Sequence, residues 1–142
     1  MKLDKRSEKT FNAIRKISDE SFSGIENPPV EALRYNYESG DVFLWTFGER
    51  IDGFAIATMD GGKPYLWSIA VANEARRCGI GGRLIKEVAT FFKIQGWGTI
   101  DLTVNGDNPA QKLYFDHGFR VVKVIPHFYG EQLHGLRMRR PL

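Results

Sequence analysis

Cysteine is nearly absent from this chain of 142 residues, because Cys78 is the only one. A single thiol cannot close an internal disulfide, and it cannot supply a cysteine-based metal cluster. The cysteine count is therefore consistent with a reducing compartment. No obvious base lies beside Cys78 in the sequence, so we expect an incidental thiol and not a nucleophile.

Long hydrophobic runs are also missing. No window approaches the roughly 20 apolar residues that cross a bilayer as a helix. The start of the chain, MKLDKR, lacks the apolar run of a secretory signal peptide. These absences predict a soluble, cytoplasmic protein without a membrane partner.

An excess of one charge sign is absent as well. The chain has 20 Lys and Arg against 17 Asp and Glu, a formal net charge of +3, which mildly favours polyanionic ligands but predicts no nucleic-acid partner. Two basic clusters stand out, one around a glycine-rich segment and one near the end of the sequence. We expect the first to attract phosphate and the second to form a solvated edge or tail. They are Arg76, Arg77, Arg83 and Lys86, and Arg137, Arg139 and Arg140.

The composition that remains is that of a packed globular protein. Hydrophobic residues make up 42% and charged residues 26% of the chain, with ten Phe, five Tyr and three Trp. A chain of this size is long enough to bury one core and too short for two ordinary ones. We expect a single domain over residues 1–142.

Hydrophobic periodicity predicts an α/β fold of the order ααβββαβαββ. Glycine and proline punctuate the runs, and Gly96 is expected to close the third helix in a left-handed conformation. The strand, helix, strand unit in the middle predicts one parallel pair of strands. Helices are expected at 8–22, from 28, at 81–95 and at 108–117, and strands at 42–47, 54–59, 65–71, 100–104, 119–125 and 133–138.

Three glycines lie at the junction of a predicted strand and the start of a predicted helix. Gly79, Gly81 and Gly82 would let an anion approach the backbone amides of residues 77–82 at the start of that helix. A Walker loop needs Lys and Ser or Thr after its last glycine, and the sequence does not provide them. The dinucleotide fingerprint needs a glycine where Leu84 stands, although Asp101 lies at a suitable distance for a ribose contact. A turn that merely connects strand and helix also remains open.

Two segments together resemble the GNAT superfamily of N-acetyltransferases. Arg76-x-x-Gly79-x-Gly81 resembles the superfamily's Arg/Gln-x-x-Gly-x-Gly/Ala signature. The segment from Asn108 to Phe119, NPAQKLYFDHGF, resembles its Asn-x-x-Ala-x-x-Leu-Tyr-x-x-x-Gly-Phe pattern. The resemblance covers roughly residues 10 to 142, and the ending of the chain looks like the branch that acetylates protein N-termini, including the ribosomal-protein alanine acetyltransferases.

The resemblance implies a fold, a cosubstrate and a reaction. The fold would be a mixed, mostly antiparallel sheet of six or seven strands with a central parallel pair and helices on both faces. Acetyl-coenzyme A would donate its acetyl group to a primary amine, with the N-terminal α-amine of a protein or peptide as first choice. A small amine, such as a polyamine, amino acid or aminoglycoside, is the alternative acceptor, and a non-catalytic acyl-coenzyme A sensor is the alternative function. The protein would be a monomer or homodimer and would need no metal.

The same resemblance implies which residues hold the cosubstrate and which one donates a proton. Tyr114 matches the general acid that protonates the departing coenzyme A thiolate. The residues implied in cosubstrate binding are Ile69, Ala70, Val71, Arg76, Arg77, Cys78, Gly79, Ile80, Gly81, Gly82, Asn108 and Tyr114.

Two departures from the superfamily pattern leave alternatives open. One residue instead of two separates Asn108 from Ala110, so counting back from Tyr114 would select Asp107 in place of Asn108. In addition, Thr103 stands where the N-terminal branch often has a Glu or His base. The candidates to replace that base are Asp101, Tyr65, Ser68, His127 and Tyr129. Of these, Tyr65 and Tyr129 are preferred as water-positioning groups. The acceptor groove is expected at residues 20–40 and 126–135.

Overall fold

The computed structural model of the chain describes residues 2–3, 7–22, 27–39 and 42–142. In that part of the chain four α-helices pack on one seven-stranded sheet. The elements are β1 (Lys2–Leu3), α1 (Glu8–Ser21), α2 (Val30–Glu38), β2 (Phe43–Phe47), β3 (Gly53–Asp60), β4 (Lys63–Val71), a 3-10 turn (Asn73–Ala75), α3 (Ile80–Ile94), β5 (Thr99–Asn105), α4 (Gln111–Asp116), β6 (Arg120–Gly130) and β7 (Leu133–Pro141).

The strands lie in the order β1-β2-β3-β4-β5-β7-β6. Neighbouring strands are antiparallel except for β4 and β5, which are parallel and lie at the centre of the sheet. The predicted mixed sheet with one central parallel pair is therefore confirmed. The two-residue strand β1 was not predicted, because only its pairing with Trp45 and Thr46 of β2 makes it a strand.

The parallel strands β4 and β5 meet at a single register position, Tyr65 opposite Asp101. Beyond it β4 runs on to Val71 without a further partner on β5, so the strands diverge and open the sheet. On its other edge β4 contains a bulge, since Ile56 pairs with Ser68 and Ala57 with Leu66, which leaves Trp67 as the extra residue. Bulges of this kind redirect side chains and are common beside binding sites.

Each face of the sheet has its own core. Helices α1 and α2 cover one face, where Phe11, Ile14 and Leu33 are buried against residues such as Phe54. Ser7 starts α1, because its Oγ accepts the Thr10 N–H at 3.1 Å. Helix α3 covers the other face through one stripe of apolar side chains, as its periodicity predicts: Leu84, Ile85, Val88 and Phe92.

Helix α4 and the hairpin of β6 and β7 differ from the sequence-based expectation. Helix α4 begins at Gln111 and not at Asn108, because the Asn108 side chain folds residues 108–110 into a turn by accepting the Ala110 N–H at 2.9 Å. Strand β6 extends to Gly130 through Pro126, whereas we expected it to end at Ile125. An edge strand tolerates the proline, since it needs hydrogen bonds on one side only.

The C-terminal arginines lie within β7 and are not a solvated edge as expected. Asp101 of β5, whose side chain is 8% exposed, pairs with Arg139 Nε at 2.8 Å and with Arg137 Nε at 3.0 Å. Arg137 also pairs with Asp60 at 3.0 Å. Burial by itself would raise the pKa of the Asp101 carboxyl, but the hydrogen bonds from Arg139 and Arg137 outweigh it and hold that pKa below its ordinary value. The pairs fasten β5 to β7 next to the parallel register pair.

We expect Asp101→Asn to lower the free energy of unfolding at pH 7 by roughly 1.5 to 3 kcal/mol, the range for a hydrogen bond to a charged group. Because the folded pKa of Asp101 is lowered, its stabilisation is fully present above the unfolded pKa of about 4 and is lost as the pH falls through the folded value. Urea unfolding of wild type and mutant should therefore differ at pH 7 and converge in acid.

Asp60→Asn is the matched control for this experiment. Its side chain is 55% exposed and pairs with Arg137 alone, so we expect a cost of less than about 1 kcal/mol. An Asp101→Asn deficit that equals the Asp60→Asn deficit, or that persists unchanged in acid, would contradict the role given to Asp101.

Candidate functional site

Two cavities adjoin where β4 and β5 diverge. The first, which we call the α3 groove, has a volume of about 430 Å³ and lies over the end of β4 and the first turn of α3. The second, the β4–β5 cavity, has a volume of about 220 Å³ and lies between the two parallel strands. Phe22, Ile69 and Tyr114 line both cavities. A ligand in the groove can therefore reach the cavity beside Tyr114.

The first turn of α3 presents unpaired backbone donors to the α3 groove. The first bond within the helix runs from the Arg83 N–H to the Gly79 carbonyl at 3.1 Å, so the N–H groups of Ile80, Gly81 and Gly82 have no acceptor in the helix. No side chain caps this end. Backbone donors at a helix start attract anions, and a phosphate or pyrophosphate suits them.

The two arginines before the glycines have different roles in the structure. Arg76 turns back and donates from Nε to the Val71 carbonyl at 3.1 Å and from Nη2 to Ser21 Oγ at 3.0 Å. Arg76 thus ties the end of β4 to the end of α1, and a ligand bond to the Val71 carbonyl would compete with it. Arg77 is exposed and has a positive φ of 66°. Its side chain is the better placed of the two to meet an anion in the groove.

The three glycines also differ in what they allow. Gly79 has a φ of +76°, and a Cβ there would meet no atom within 4 Å, so the backbone is open to a ligand. A Cβ on Gly81 would lie 3.1 Å from Leu113 Cδ2. A Cβ on Gly82 would overlap the His117 ring, 2.8 Å from Cε1. The sequence pattern favours the approach of phosphate as the reason for all three glycines, whereas packing against His117, the residue that follows α4, is a sufficient reason for Gly82.

Thr103 of β5 is the centre of the hydrogen bonds in the β4–β5 cavity. The Tyr65 hydroxyl donates to Thr103 Oγ1 at 2.6 Å, and the Tyr129 hydroxyl donates to the Thr103 carbonyl at 3.2 Å. Burial raises the pKa of the Tyr65 phenol, against the opposing effects of the Thr103 hydrogen bond and the Arg137 charge. Both tyrosines lie in the cavity with their hydroxyl groups donating to Thr103.

Tyr114 of α4 lies at the junction of the two cavities. The residue is 9% exposed, and its ring packs edge-on against Phe119 with centroids 6.0 Å apart. Burial raises the pKa of the phenol to about 12. Among the described residues no group makes a hydrogen bond to its hydroxyl. Tyr114 is consequently a protonated donor without a hydrogen-bond partner among the described residues, and it lies where the groove opens into the cavity.

The remaining predicted site residues divide between the two cavities and the surface. Asn108 lines the β4–β5 cavity, and Asp107 lines neither cavity. Cys78 is exposed outside the groove lining, with its Sγ 3.7 Å from the Arg76 carbonyl oxygen. The predicted residues that line the α3 groove are Ile69, Ala70, Val71, Arg76, Arg77, Gly79, Ile80, Gly81, Gly82 and Tyr114.

The candidates for the base also separate. Asp101 forms ion pairs with Arg137 and Arg139 and lies outside the cavity lining. His127 also lies outside the lining, and its Nδ1 accepts the Gln132 N–H at 3.3 Å. Ser68 lines the cavity together with Tyr65 and Tyr129. The described cavity lining therefore contains hydroxyl groups and no carboxylate or imidazole.

Sequence reasoning missed the aromatic side chains that complete the β4–β5 cavity. Phe22, Trp67 and Phe128 come from three distant segments, and no local pattern brings them together. Phe22 and Phe128 do fall within the two segments expected to form the acceptor groove, 20–40 and 126–135. Residues 23–26 and 40 of that expectation lie outside the described residues.

Two further observations concern the described residues as a whole. No group of three or more His, Cys, Asp or Glu side chains in this part of the chain is placed to hold a metal ion. None of the helices that the structure describes has the length and apolar character needed to cross a membrane.

Comparison with known proteins identifies relatives across most of the chain. The model of the acetyltransferase (GNAT) family matches residues 11–119. An uncharacterized N-acetyltransferase of Methanocaldococcus jannaschii is 29% identical over 129 residues, covering 82% of this chain and 83% of that protein.

Two solved structures share the fold. An aminoglycoside 6'-N-acetyltransferase complexed with coenzyme A superposes with a TM-score of 0.83 at 14% identity, covering 99% of this chain and 95% of that one. The ribosomal-protein-S18-alanine N-acetyltransferase of Escherichia coli superposes with a TM-score of 0.80 at 20% identity, covering 99% and 92%.

We expect Gly82→Ala to destabilise the protein by about 1 to 3 kcal/mol, the usual cost of overpacking. The His117 ring cannot easily move aside, since its Nδ1 lies 2.8 Å from the Leu113 carbonyl oxygen. Thermal and urea unfolding measure the loss. Gly98→Ala is the control, because a Cβ there would meet no atom within 4 Å. Combining Gly82→Ala with His117→Ala should restore the stability of His117→Ala alone, and a double mutant that is weaker by the full Gly82→Ala cost would refute this packing role.

Proposed function

The chain belongs to the acetyltransferase (GNAT) family and transfers acetyl from acetyl-coenzyme A, and on this premise we propose that its acceptor is the N-terminal α-amine of a protein or peptide. The observation that carries the proposal is the β4–β5 cavity, where Thr103 takes the place of a base and no described lining residue bears a carboxylate. Such a site depends on an acceptor of which an appreciable fraction is already neutral at the working pH.

The acidity of amines makes the α-amine the easier acceptor. An α-amine with a pKa of 7.7 to 8.0 is about 10 to 20% neutral at pH 7, whereas a lysine with a pKa near 10.4 is neutral at well under about 0.1%. Only the neutral amine can attack a carbonyl carbon. The fold is shared with the ribosomal-protein-S18-alanine N-acetyltransferase and equally with the aminoglycoside 6'-N-acetyltransferase, so the choice of the α-amine rests on the chemistry of the cavity.

The described residues fit acetyl-coenzyme A, which supplies an acetyl group as a thioester. We propose that Arg77 and the N–H groups of Ile80, Gly81 and Gly82 hold its pyrophosphate. The open edge of β4 at Ile69, Ala70 and Val71 would hold the pantetheine arm, and Asn108 would contact it from the β4–β5 cavity. The fit rests on the unpaired donors at the start of α3 and on the absence of side-chain atoms around Gly79. One domain, built on one sheet, would contain the whole site.

Tyr114 is proposed to donate to the departing sulfur. Transfer of its proton to a thiolate of ordinary pKa near 8.5 would cost about 5 kcal/mol, given the pKa of about 12 for the phenol. We therefore propose that Tyr114 acts mainly through a hydrogen bond that stabilises negative charge on sulfur. Tyr65 and Tyr129 would position the acceptor amine or a water through their hydroxyl groups.

We expect Tyr114→Phe to lower kcat by about 10- to 1000-fold and to leave coenzyme A affinity nearly unchanged. The phenyl ring keeps its packing on Phe119, so the melting temperature should hold. Because burial raises the pKa of Tyr114 to about 12, this tyrosine stays protonated up to about pH 10, and its ionisation should not lower the wild-type kcat in that range. Tyr35→Phe, on a tyrosine that is 72% exposed, is the control. Normal turnover by Tyr114→Phe would show that the donor lies elsewhere.

We expect peptides with a free N-terminus to be acetylated faster than N-terminally blocked peptides that carry lysine, as measured by release of free thiol. The kcat/KM should rise across roughly pH 7 to 8.5 as the α-amine deprotonates. Thr103→Glu should move this rise to lower pH, since a carboxylate can accept the amine's proton, whereas Thr103→Gln should not. If blocked peptides react as fast as free ones, the α-amine assignment is wrong.

A further inference from the structure

The β4–β5 cavity has no charged lining among the described residues. Its fifteen lining residues include six aromatic side chains, and none of the fifteen is an Asp, Glu, Lys, Arg or His. The polar groups that it does contain are hydroxyls and amides. A second positive charge on an acceptor would therefore enter this space without a counter-ion from the described lining, at a high cost in lost hydration.

The charged residues around Tyr65 already have partners. Tyr65, which lines the cavity, has the Arg137 guanidinium over its ring at 4.7 Å from the centroid. Arg137 in turn pairs with Asp101 and Asp60, and Asp101 also pairs with Arg139. Neither carboxylate can turn toward a cationic acceptor without giving up an arginine.

The rim of the cavity presents apolar surface instead. The Phe128 side chain is half exposed and stands beside Tyr129, with ring centroids 4.8 Å apart. It packs over Gly135 of β7, where a Cβ would lie 2.9 Å from Phe128 Cβ and 3.1 Å from Thr103 Cγ2. Gly135 thus provides the space in which the phenyl ring lies next to Thr103. An apolar group that covers Phe128 removes its exposed face from water, which favours binding.

On the premise that the acceptor is an N-terminal α-amine, we propose that the enzyme selects peptides whose first residue has a large apolar or aromatic side chain and discriminates against a charged first residue. The first side chain would pack against Phe128 and the other aromatic residues at the cavity. The uncharged lining would also lower the pKa of the entering amine by desolvation, which increases its neutral fraction. Selectivity and activation of the acceptor would thus have the same cause.

A series of peptides that differ only in the first residue tests this selectivity. Phe, Leu, Ala, Asp and Arg at the first position cover the relevant chemistry, and Arg avoids the second acceptor amine that Lys would add. Expected kcat/KM values for Phe and Leu exceed those for Asp and Arg by about 10- to 100-fold, with Ala between them. Equal rates for the Arg and Phe peptides would overturn the proposal.

Phe128→Asp is the variant that links the preference to the cavity. We expect it to raise kcat/KM of the Arg peptide relative to the Phe peptide by about 10-fold, because it adds a carboxylate at the rim. Phe115→Asp is the matched control, since Phe115 is similarly exposed but lines neither cavity and stacks on Arg120 instead. An unchanged ratio in Phe128→Asp would also overturn the proposal.

Failure of the premise can be told apart from failure of this inference. If no peptide reacts but small amines do, the proposal of an N-terminal acceptor is wrong. The acetylation rates of phenethylamine and putrescine are then compared. A preference for phenethylamine, reduced by Phe128→Asp, would support the selectivity of the uncharged cavity for a smaller acceptor. A preference for putrescine would overturn it.

Discussion

The site depends on the way the parallel strands β4 and β5 meet at Tyr65 and Asp101 and then separate. Parallel neighbours normally continue to pair along their length, but here one register position holds them together. The Asp101 carboxylate and the two arginines of β7 fasten β5 on the far side. This arrangement leaves the rest of β4 with an open edge, beside which the α3 groove and the β4–β5 cavity join.

Much of the fold could be predicted from the sequence because its signals are local. The glycines before α3, its apolar stripe and the alternation in β5 each lie within a short segment. Strand β1 and the full length of β6 could not be predicted in this way, since long-range pairing decides both. The Asn108 turn was missed for a different reason. An Asn before a proline is typical of a helix start, and only the hydrogen bond from the Ala110 N–H to the Asn108 side chain shows that the helix begins later, at Gln111.

In the candidate site, too, residues within one motif could be predicted, whereas residues brought together by tertiary packing could not. The predicted cosubstrate residues follow from a motif, and the structure groups most of them around one groove. The aromatic residues Phe22, Trp67 and Phe128 were not foreseen, because their proximity depends on how α1, β4 and the β6–β7 hairpin converge. The partners of Asp101 could not be predicted either. Arg137 and Arg139 alternate with apolar residues along β7, a pattern typical of surface charge, and only the pairing of β7 with β5 brings them to Asp101.

The open edge of β4 has a consequence for how this chain can diverge from its relatives. An edge of backbone N–H and C=O groups offers the same contacts whichever side chains the strand carries, provided that its course and its bulge persist. Selection would then act on the path of the main chain more than on residue identity, and the low identity of proteins that share this fold over nearly the whole chain agrees with that. On the proposed assignment of the two cavities, substitutions at a few rim positions such as Phe128 would change the acceptor while the α3 groove stays the same.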